Sequence, residues 1–392
     1  MSTAKTKMNA FNRRQFLKTG GAAVLGAFVS RGYEWPPQGR EQTLYVGTYT
    51  SGKSEGIYVY RMNSVTGALT RLKSIQSVNP SFLVIDRSRR YLYAVNEVKE
   101  FDGKPEGAVS AFSIEPKTGS LTFLNQQSSR GADPCHLTVD RKRKLLVVAN
   151  YTGGNVAVLP INGDGSLAAA TDVKQHQGSS IKEQQNGPHT HCVVLDHSEQ
   201  HALVTDLGID KIMIYRLDKS GGKLIPGPQP AVPLQSGAGP RHLALHPNGK
   251  LVYVINELNS TVSTFKFDES HDTLSLVDTV STLPVNFFGS NSCADIHVSA
   301  NGKFLYGSNR GPDSIVVFAI DMRTGRPNYI EHMPSGGKWP RNFNIDPTGR
   351  FLLVANQHTD NVVSFKIDPQ TGRLQPTGQI AEIPTPVCLK FA

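Results

Sequence analysis

The sequence predicts an all-β fold, a seven-bladed β-propeller built from four-stranded antiparallel blades. Three observations carry that expectation. A unit of two apolar runs joined by a turn occurs six times with one internal spacing. The 392 residues include 36 Gly and 24 Pro but only 19% charged residues, a composition of many turns and few solvated helix faces. The two chain ends each hold part of a further unit, and the parts complement each other.

The unit is clearest at residues 239–257, G-P-R-H-L-A-L-H-P-N-G-K-L-V-Y-V-I-N-E. Apolar residues alternate from His242 to His246, a Pro-Asn-Gly turn follows, and a second run ends in Asn256-Glu257. Alternation broken by a turn is the pattern of a hairpin. With Arg241 as the anchor, the closing Asn falls fifteen residues later. The same spacing links Ser81 to Asn96, Cys135 to Asn150, His191 to Asp206, Ala294 to Asn309 and Arg341 to Asn356. Successive anchors are 54, 56, 50, 53 and 47 residues apart. A repeat of about 40–50 residues with several short strands marks a propeller. Length alone would suggest two or three domains. The repeat overrides that estimate, because such units close into one body.

From the N-terminus, the first 32 residues hold six basic side chains and no acid, which accounts for most of the net charge of +9. The remainder shows no basic stripe interleaved with aromatics, so a nucleic-acid partner is not expected. Asn12-Arg13-Arg14-Gln15-Phe16-Leu17-Lys18 precedes a weakly apolar run, 20–29. That run is shorter than the roughly 20 apolar residues of a membrane span, and the pattern is that of an export signal. The Arg-Arg-x-Phe-Leu-Lys core resembles a twin-arginine signal, an address read by a translocase. The resemblance implies the twin-arginine translocase as a partner and a periplasmic or extracytoplasmic location. Residues 1–32 are accordingly assigned to the signal and 43–392 to the propeller. No clean A-x-A cleavage site is present, and retention as an anchor is the alternative.

Residues 43–49, 56–62 and 69–76 read as the first three strands. Turns of one chemistry recur, Ser64-Val65-Thr66-Gly67, Pro116-Lys117-Thr118-Gly119, Met322-Arg323-Thr324-Gly325 and Pro369-Gln370-Thr371-Gly372. Their Gly supplies a positive φ. Each repeat then has an anchor strand, a strand ending in Asn, and two more. The N-terminal strands lack an anchor strand, whereas 385–391 is an anchor strand with nothing after it. Pairing them makes the last blade from both termini and removes the open edge. The polar stretch 175–187, Q-H-Q-G-S-S-I-K-E-Q-Q-N-G, reads as a surface loop, either a solvated insertion or a functional loop over a rigid scaffold.

The anchor strand lies nearest the central channel, so its start lies near one mouth. The anchors read Ser81, Cys135, His191, Arg241, Ala294, Arg341 and Val387. The positions after the closing residues read Glu97, Tyr151, Leu207, Glu257, Arg310 and Gln357. The repeating Asn or Asp reads as structural, a short polar side chain bonding local backbone. Departures from the repeat are where function enters: Arg241, Arg310, Arg341, Glu257 and His191, with His189 as a second imidazole. The bland alternative is polar lining around a wet channel. On the site reading, truncating Arg241 is expected to spare the fold, since an arginine at a wet channel mouth buries little apolar area. Cys135, Cys192, Cys293 and Cys388 each lie within one position of an anchor and form no C-x-x-C, so buried free thiols are expected, although export permits a disulfide. His242, His246 and His297 alternate along inner strands and read as core or turn residues. No H-E-x-x-H, P-loop or G-x-S-x-G is present, and no metal or cofactor is expected.

The sequence resembles the seven-bladed lactonase family, which includes the propeller type of 6-phosphogluconolactonase and the fungal 3-carboxy-cis,cis-muconate lactonizing enzyme. The matching stretches are Y-V-G-T-Y-T-S-G at 45–52, G-P-H-T-H at 187–191, V-T-D-L-G-I-D at 204–210, G-P-R-H at 239–242, Asn256-Glu257, S-N-R-G at 308–311 and A-N-Q at 355–357. The resemblance covers residue 43 to the C-terminus. It implies a catalytic group of His191, Arg241, Glu257 and Arg310, no metal, and a lactone as substrate. His189, Arg341 and Asp206 are the expected substrate contacts. Hydrolysis of a lactone needs a base for water and donors for the oxyanion. His191 or Glu257 would be the base. Arg241 and Arg310 would hold the oxyanion or an anionic substituent, since a guanidinium fork binds such groups bidentately. The alternatives are a lactonizing cyclase and a non-catalytic binding propeller. The expected protein is a monomer acting on a small, anionic lactone.

Overall fold

The structure is a computed structural model and describes residues 41–392. The expected export signal, 1–32, lies outside the described residues. The chain forms seven four-stranded antiparallel sheets. Blades 1 to 6 follow in chain order, at 83–128, 134–175, 190–233, 240–281, 293–334 and 340–382. Blade 7 takes its innermost strand from Pro386–Phe391 and its other three from Glu41–Thr48, Gly56–Asn63 and Leu69–Gln76. Leu44 pairs with Phe391 and Val46 with Leu389, so the expected seam between the chain ends is present.

Burial follows position within the blade. The second strands, such as Leu145–Asn150 and Leu251–Asn256, are buried at every residue. Both of their faces pack against neighbouring blades, so they carry near-continuous apolar runs rather than half-polar alternation. The outermost strands, such as Leu69–Gln76, are largely exposed and alternate less cleanly. The core therefore lies between blades. Val147, Val156 and Val158 of blade 2 pack with Val193, Val204 and Tyr215 of blade 3.

The recurring Thr-Gly turns do more than reverse the chain. Gly119, Gly325 and Gly372 have φ of 71°, 81° and 73°, and each presents its carbonyl to the preceding blade of the ring. Tyr45, Tyr253 and Tyr306 donate their hydroxyls to those carbonyls at 2.8, 2.9 and 2.9 Å. A Cβ on Gly119 would lie 2.9 Å from Thr43 Cγ2, so close approach and positive φ both require glycine there. Tyr hydroxyls buried between blades thus find partners, as buried polar groups must.

The closing Asn residues are structural, as their repetition implied. Asn150, Asn309 and Asn356 are fully buried and donate to the carbonyls of Ser129, Thr282 and Ser335, in the segments leading to the anchors. All four cysteines are free and buried. Among the described residues no helix is long and apolar enough to cross a membrane. The 175–187 loop is not simply solvated. It holds a short turn, Glu183–Gln185, whose Gln185 is fully buried and donates to Leu207 O and Asp210 Oδ1, both at 2.8 Å.

Candidate active site

The anchors owe their inward aim to a repeated irregularity. In blade 4 the pairing passes from Pro240–Asn256 directly to His242–Ile255, leaving Arg241 as a bulge. The same shift falls on Cys135, His191 and Arg341 in blades 2, 3 and 6. A bulge sets two residues against one and re-aims a side chain. Here it aims the anchor side chains toward the channel mouth.

Three of the four expected catalytic residues meet directly. Glu257 Oε1 lies 2.8 Å from Arg310 Nη2 and its Oε2 lies 2.9 Å from Arg241 Nε. The Arg241 contact is an ion pair without an aligned hydrogen bond at Nε. Arg241 also donates through Nη1 to Ala294 O at 2.7 Å and to His242 Nε2 at 3.2 Å. Arg310 donates to the Ser292 and Cys293 carbonyls and lies 5.0 Å from the Trp339 ring. Arg241 is only 2% exposed, so it is a buried side chain rather than the wet lining the sequence suggested. Burial, then the nearby Arg310 and Arg341, brings its pKa down to about 10, and it stays charged at neutral pH. Burial pushes Glu257 up, but Arg310, Arg241 and Arg341 outweigh it and hold the carboxyl below its ordinary value.

His191 lies in the same mouth, buried, with its Nδ1 3.8 Å from Cys135 Sγ and its ring 5.5 Å from Tyr151 and 5.2 Å from His242. No hydrogen bond engages its Nε2 among the described residues. Burial first, then Arg241, His242 and Arg341, depress its pKa well below the ordinary imidazole value. His189 stacks on Tyr151 at 4.5 Å and donates through Nδ1 to the Tyr151 carbonyl at 3.0 Å.

Asp206 lies elsewhere than a substrate contact would. It is fully buried, and its Oδ1 accepts from the His189 and Gly208 amides at 2.8 and 3.0 Å. Its Oδ2 accepts from His176 Nδ1 at 2.7 Å. Both oxygens are engaged, so Asp206 holds the 187–191 segment in place. It binds local backbone as Asn150, Asn309 and Asn356 do in their blades, but by accepting from amides rather than donating to carbonyls.

The other half of the mouth comes from blades 6, 7 and 1. Arg341 Nη2 donates to Tyr49 Oη at 2.8 Å, and that hydroxyl donates to Glu97 Oε1 at 2.9 Å. Ser81 Oγ donates to Glu97 Oε2. Ser81, Glu97, Cys135, Arg241 and Arg341 share the wall of one small cavity of about 10 Å³ with Phe82, His242, Asn342 and Val387. That is room for about one water. A groove of about 880 Å³ between blades 4 and 5 holds none of these charges.

Beneath Arg241 lies a group the sequence reading passed over. His242 donates through Nδ1 to Asp295 Oδ1 at 2.8 Å, and Asn342 and His297 reach Asp295 Oδ2 at 2.5 and 3.0 Å. Burial and Arg241 take the His242 pKa down to about 4. The ring is therefore neutral and able to accept from Arg241 at Nε2. Among the described residues one trio, Asp196, His201 and Glu269, brings metal-type donor atoms within 4.8 Å of one another. Both ring nitrogens of His201 are already engaged, by Asp196 and Asp272.

A family model described as "Lactonase, 7-bladed beta-propeller" matches residues 43–391. The chain belongs to this lactonase family. A 6-phosphogluconolactonase of Bacillus subtilis is 37% identical over 348 residues, covering 88% of this chain and 97% of the relative. A 6-phosphogluconolactonase of Formosa agariphila is 35% identical over 78% of this chain and 86% of its own length. The solved periplasmic gluconolactonase of Pseudomonas aeruginosa superposes with a TM-score of 0.85 at 35% identity, covering 90% of this chain and 99% of that one. Membership matches the resemblance read from the motifs.

Proposed function

We propose that this lactonase-family chain hydrolyses a sugar lactone at the channel mouth formed by Arg241, Glu257, Arg310 and His191. The observation that carries the reading is the Glu257 carboxylate held between two guanidinium groups, at 2.8 and 2.9 Å, in the mouth where His191 is also buried. A carboxylate so clamped is a poor base, because its charged form is stabilised. Glu257 therefore orients Arg241 and Arg310, and His191 is the base. His191 Nε2 takes a proton from water as the water oxygen bonds to the lactone carbonyl carbon. Charge gathers on the carbonyl oxygen, where the preorganised arginine N–H groups stabilise it. The ring C–O bond then breaks, and the departing oxygen takes the proton back from His191 to give the open hydroxy acid. His189 and Arg341 contact the substrate, and Asp206 acts through His189. This chemistry uses side chains and water alone.

The test is a panel of lactones on the purified protein, followed by base uptake. Failure to hydrolyse any of them overturns the reading.

The depressed His191 pKa has a kinetic consequence. A base must be unprotonated to act, and a lowered pKa keeps it so at lower pH. The acid limb of kcat/KM is expected below pH ~6.5, the ordinary imidazole value. A limb centred at or above that value would remove His191 as the base.

We further propose that the chain works in the periplasm. The Arg13-Arg14 signal core supports this, as does the likeness to a gluconolactonase named as periplasmic. Changing both arginines to lysine is expected to keep the protein in the cytoplasm, read by fractionation. Unimpaired export of that double variant rules out the twin-arginine route.

A further inference from the structure

We infer that Glu97, with Tyr49, Ser81 and Arg341, forms a polyol subsite that selects lactones lacking a phosphate group. The inference rests on the lactonase reading above and concerns the half of the mouth that the proposed chemistry does not use.

Glu97 follows the closing Asn96 of blade 1 as Glu257 follows Asn256 of blade 4. The repeat therefore presents two carboxylates at equivalent corners of the ring. Their surroundings differ. Glu257 is clamped by two guanidinium groups, whereas Glu97 is held by hydroxyls, Tyr49 at Oε1 and Ser81 at Oε2. Its backbone is pinned as well. The Glu97 amide donates to Asn79 O at 3.0 Å, and Asn79 Nδ2 donates to Glu97 O at 3.1 Å. Arg341 reaches the same Tyr49 hydroxyl and lies over the Tyr49 ring, 5.3 Å from its centre. One phenol thus fixes a guanidinium and a carboxylate side by side.

That pairing has a specific match. Each carboxylate oxygen has spare lone pairs, and Arg341 has spare N–H groups. Neighbouring hydroxyls of a sugar give a proton to the one and accept from the other. A phosphate satisfies only the arginine and brings its negative charge against Glu97. Like charge placed against a competitor is a recognised source of discrimination. The local charge balance points the same way. Three guanidinium groups, Arg241, Arg310 and Arg341, face two carboxylates, Glu257 and Glu97. The single surplus positive charge suits the one negative charge of an oxyanion and leaves nothing for a phosphate dianion. Arg241, Arg341, Ser81 and Glu97 border one small cavity, so the Glu97 group lies beside the Arg241 side of the mouth.

The test measures initial rates of the purified full chain on glucono-δ-lactone and on its 6-phosphate. The expected wild-type kcat/KM is at least about tenfold higher for the unphosphorylated lactone, within the range that polar contacts to substrate provide. Glu97→Gln, which removes the charge and keeps the shape, is expected to shift that ratio toward the phosphate by about tenfold or more, mainly through KM. Glu97→Asp, which keeps the charge, is expected to retain the wild-type preference. A wild type that favours the phosphorylated lactone, or a Glu97→Gln ratio equal to wild type, overturns the subsite and leaves the lactonase reading standing. The wild-type ratio decides the matter even should a variant fold poorly. Hydrolysis of neither lactone overturns the subsite, and the wider lactone panel then decides the lactonase reading.

Discussion

Arg241→Ala is expected to lower kcat/KM for lactone hydrolysis by about 10²–10³-fold, the scale of losing one preorganised oxyanion donor. The same change is expected to destabilise the protein, because Arg241 is buried and is one of two cations in contact with Glu257 among the described residues. Removing one partner of a buried pair costs roughly 3–5 kcal/mol when the other is left uncompensated. Arg310 remains, so the lower part of that range applies. Arg241→Lys separates the two effects. Lysine keeps the charge and most of the buried stem, but its single ammonium cannot serve Glu257, Ala294 O and His242 in the fork geometry of arginine. The lysine variant is expected to melt near wild type and to lose at least about tenfold in kcat/KM. A lysine variant with wild-type turnover would mean that Arg241 supports the mouth and takes no part in the reaction.

The fold was legible because it is repetitive. Fifteen-residue spacing between anchor and closing residue could be read without knowing any contact, and the orphan strand at the C-terminus completed the ring by elimination. The site was legible where it broke the repeat. Arg241, Glu257 and Arg310 stood out as charges in rings that also hold Ser81, Ala294, Leu207 and Val387, and they do meet. Glu97 stood in the same ring but was passed over, because its partner Tyr49 lies outside both rings of repeat positions, just after the strand Glu41–Thr48 of blade 7. Asp206 misled for the opposite reason. It was expected among the substrate contacts, yet the repeat gives that position to a backbone-binding Asn, and Asp206 binds the His189 and Gly208 amides. Asp295 carried no signal at all. It lies one residue beyond an unremarkable Ala anchor, and its importance arises only from His242, His297 and Asn342 converging on it from three blades. The burial of Arg241 was equally hidden, since sequence shows a bulge only as one residue too many between two good runs.

Removing residues 385–392 is expected to be the most damaging small truncation available to this chain. Pro386–Phe391 is the innermost strand of blade 7, and Val387, Cys388 and Leu389 are buried between blades 6 and 1. Burying side chains of this size contributes about 1.5–3 kcal/mol each. The strand also closes the ring by hydrogen bonds. Leu389 O accepts from Asn344 Nδ2 at 2.7 Å, its amide donates to Asn342 Oδ1 at 2.8 Å, and the Leu83 amide reaches Cys388 Sγ at 3.3 Å. Without it, Glu41–Thr48 becomes an open edge, a template for pairing with another chain. Net stabilities of whole domains are about 5–15 kcal/mol, so the loss is comparable to the total. The truncated protein is expected to aggregate on expression or to melt roughly 10 °C or more below the full chain, by calorimetry or by circular dichroism. Asn342 also donates to Asp295, which in turn holds His242 against Arg241, so activity is expected to fall before the fold is lost. An unchanged melting temperature after this deletion would mean that the ring does not depend on its seam.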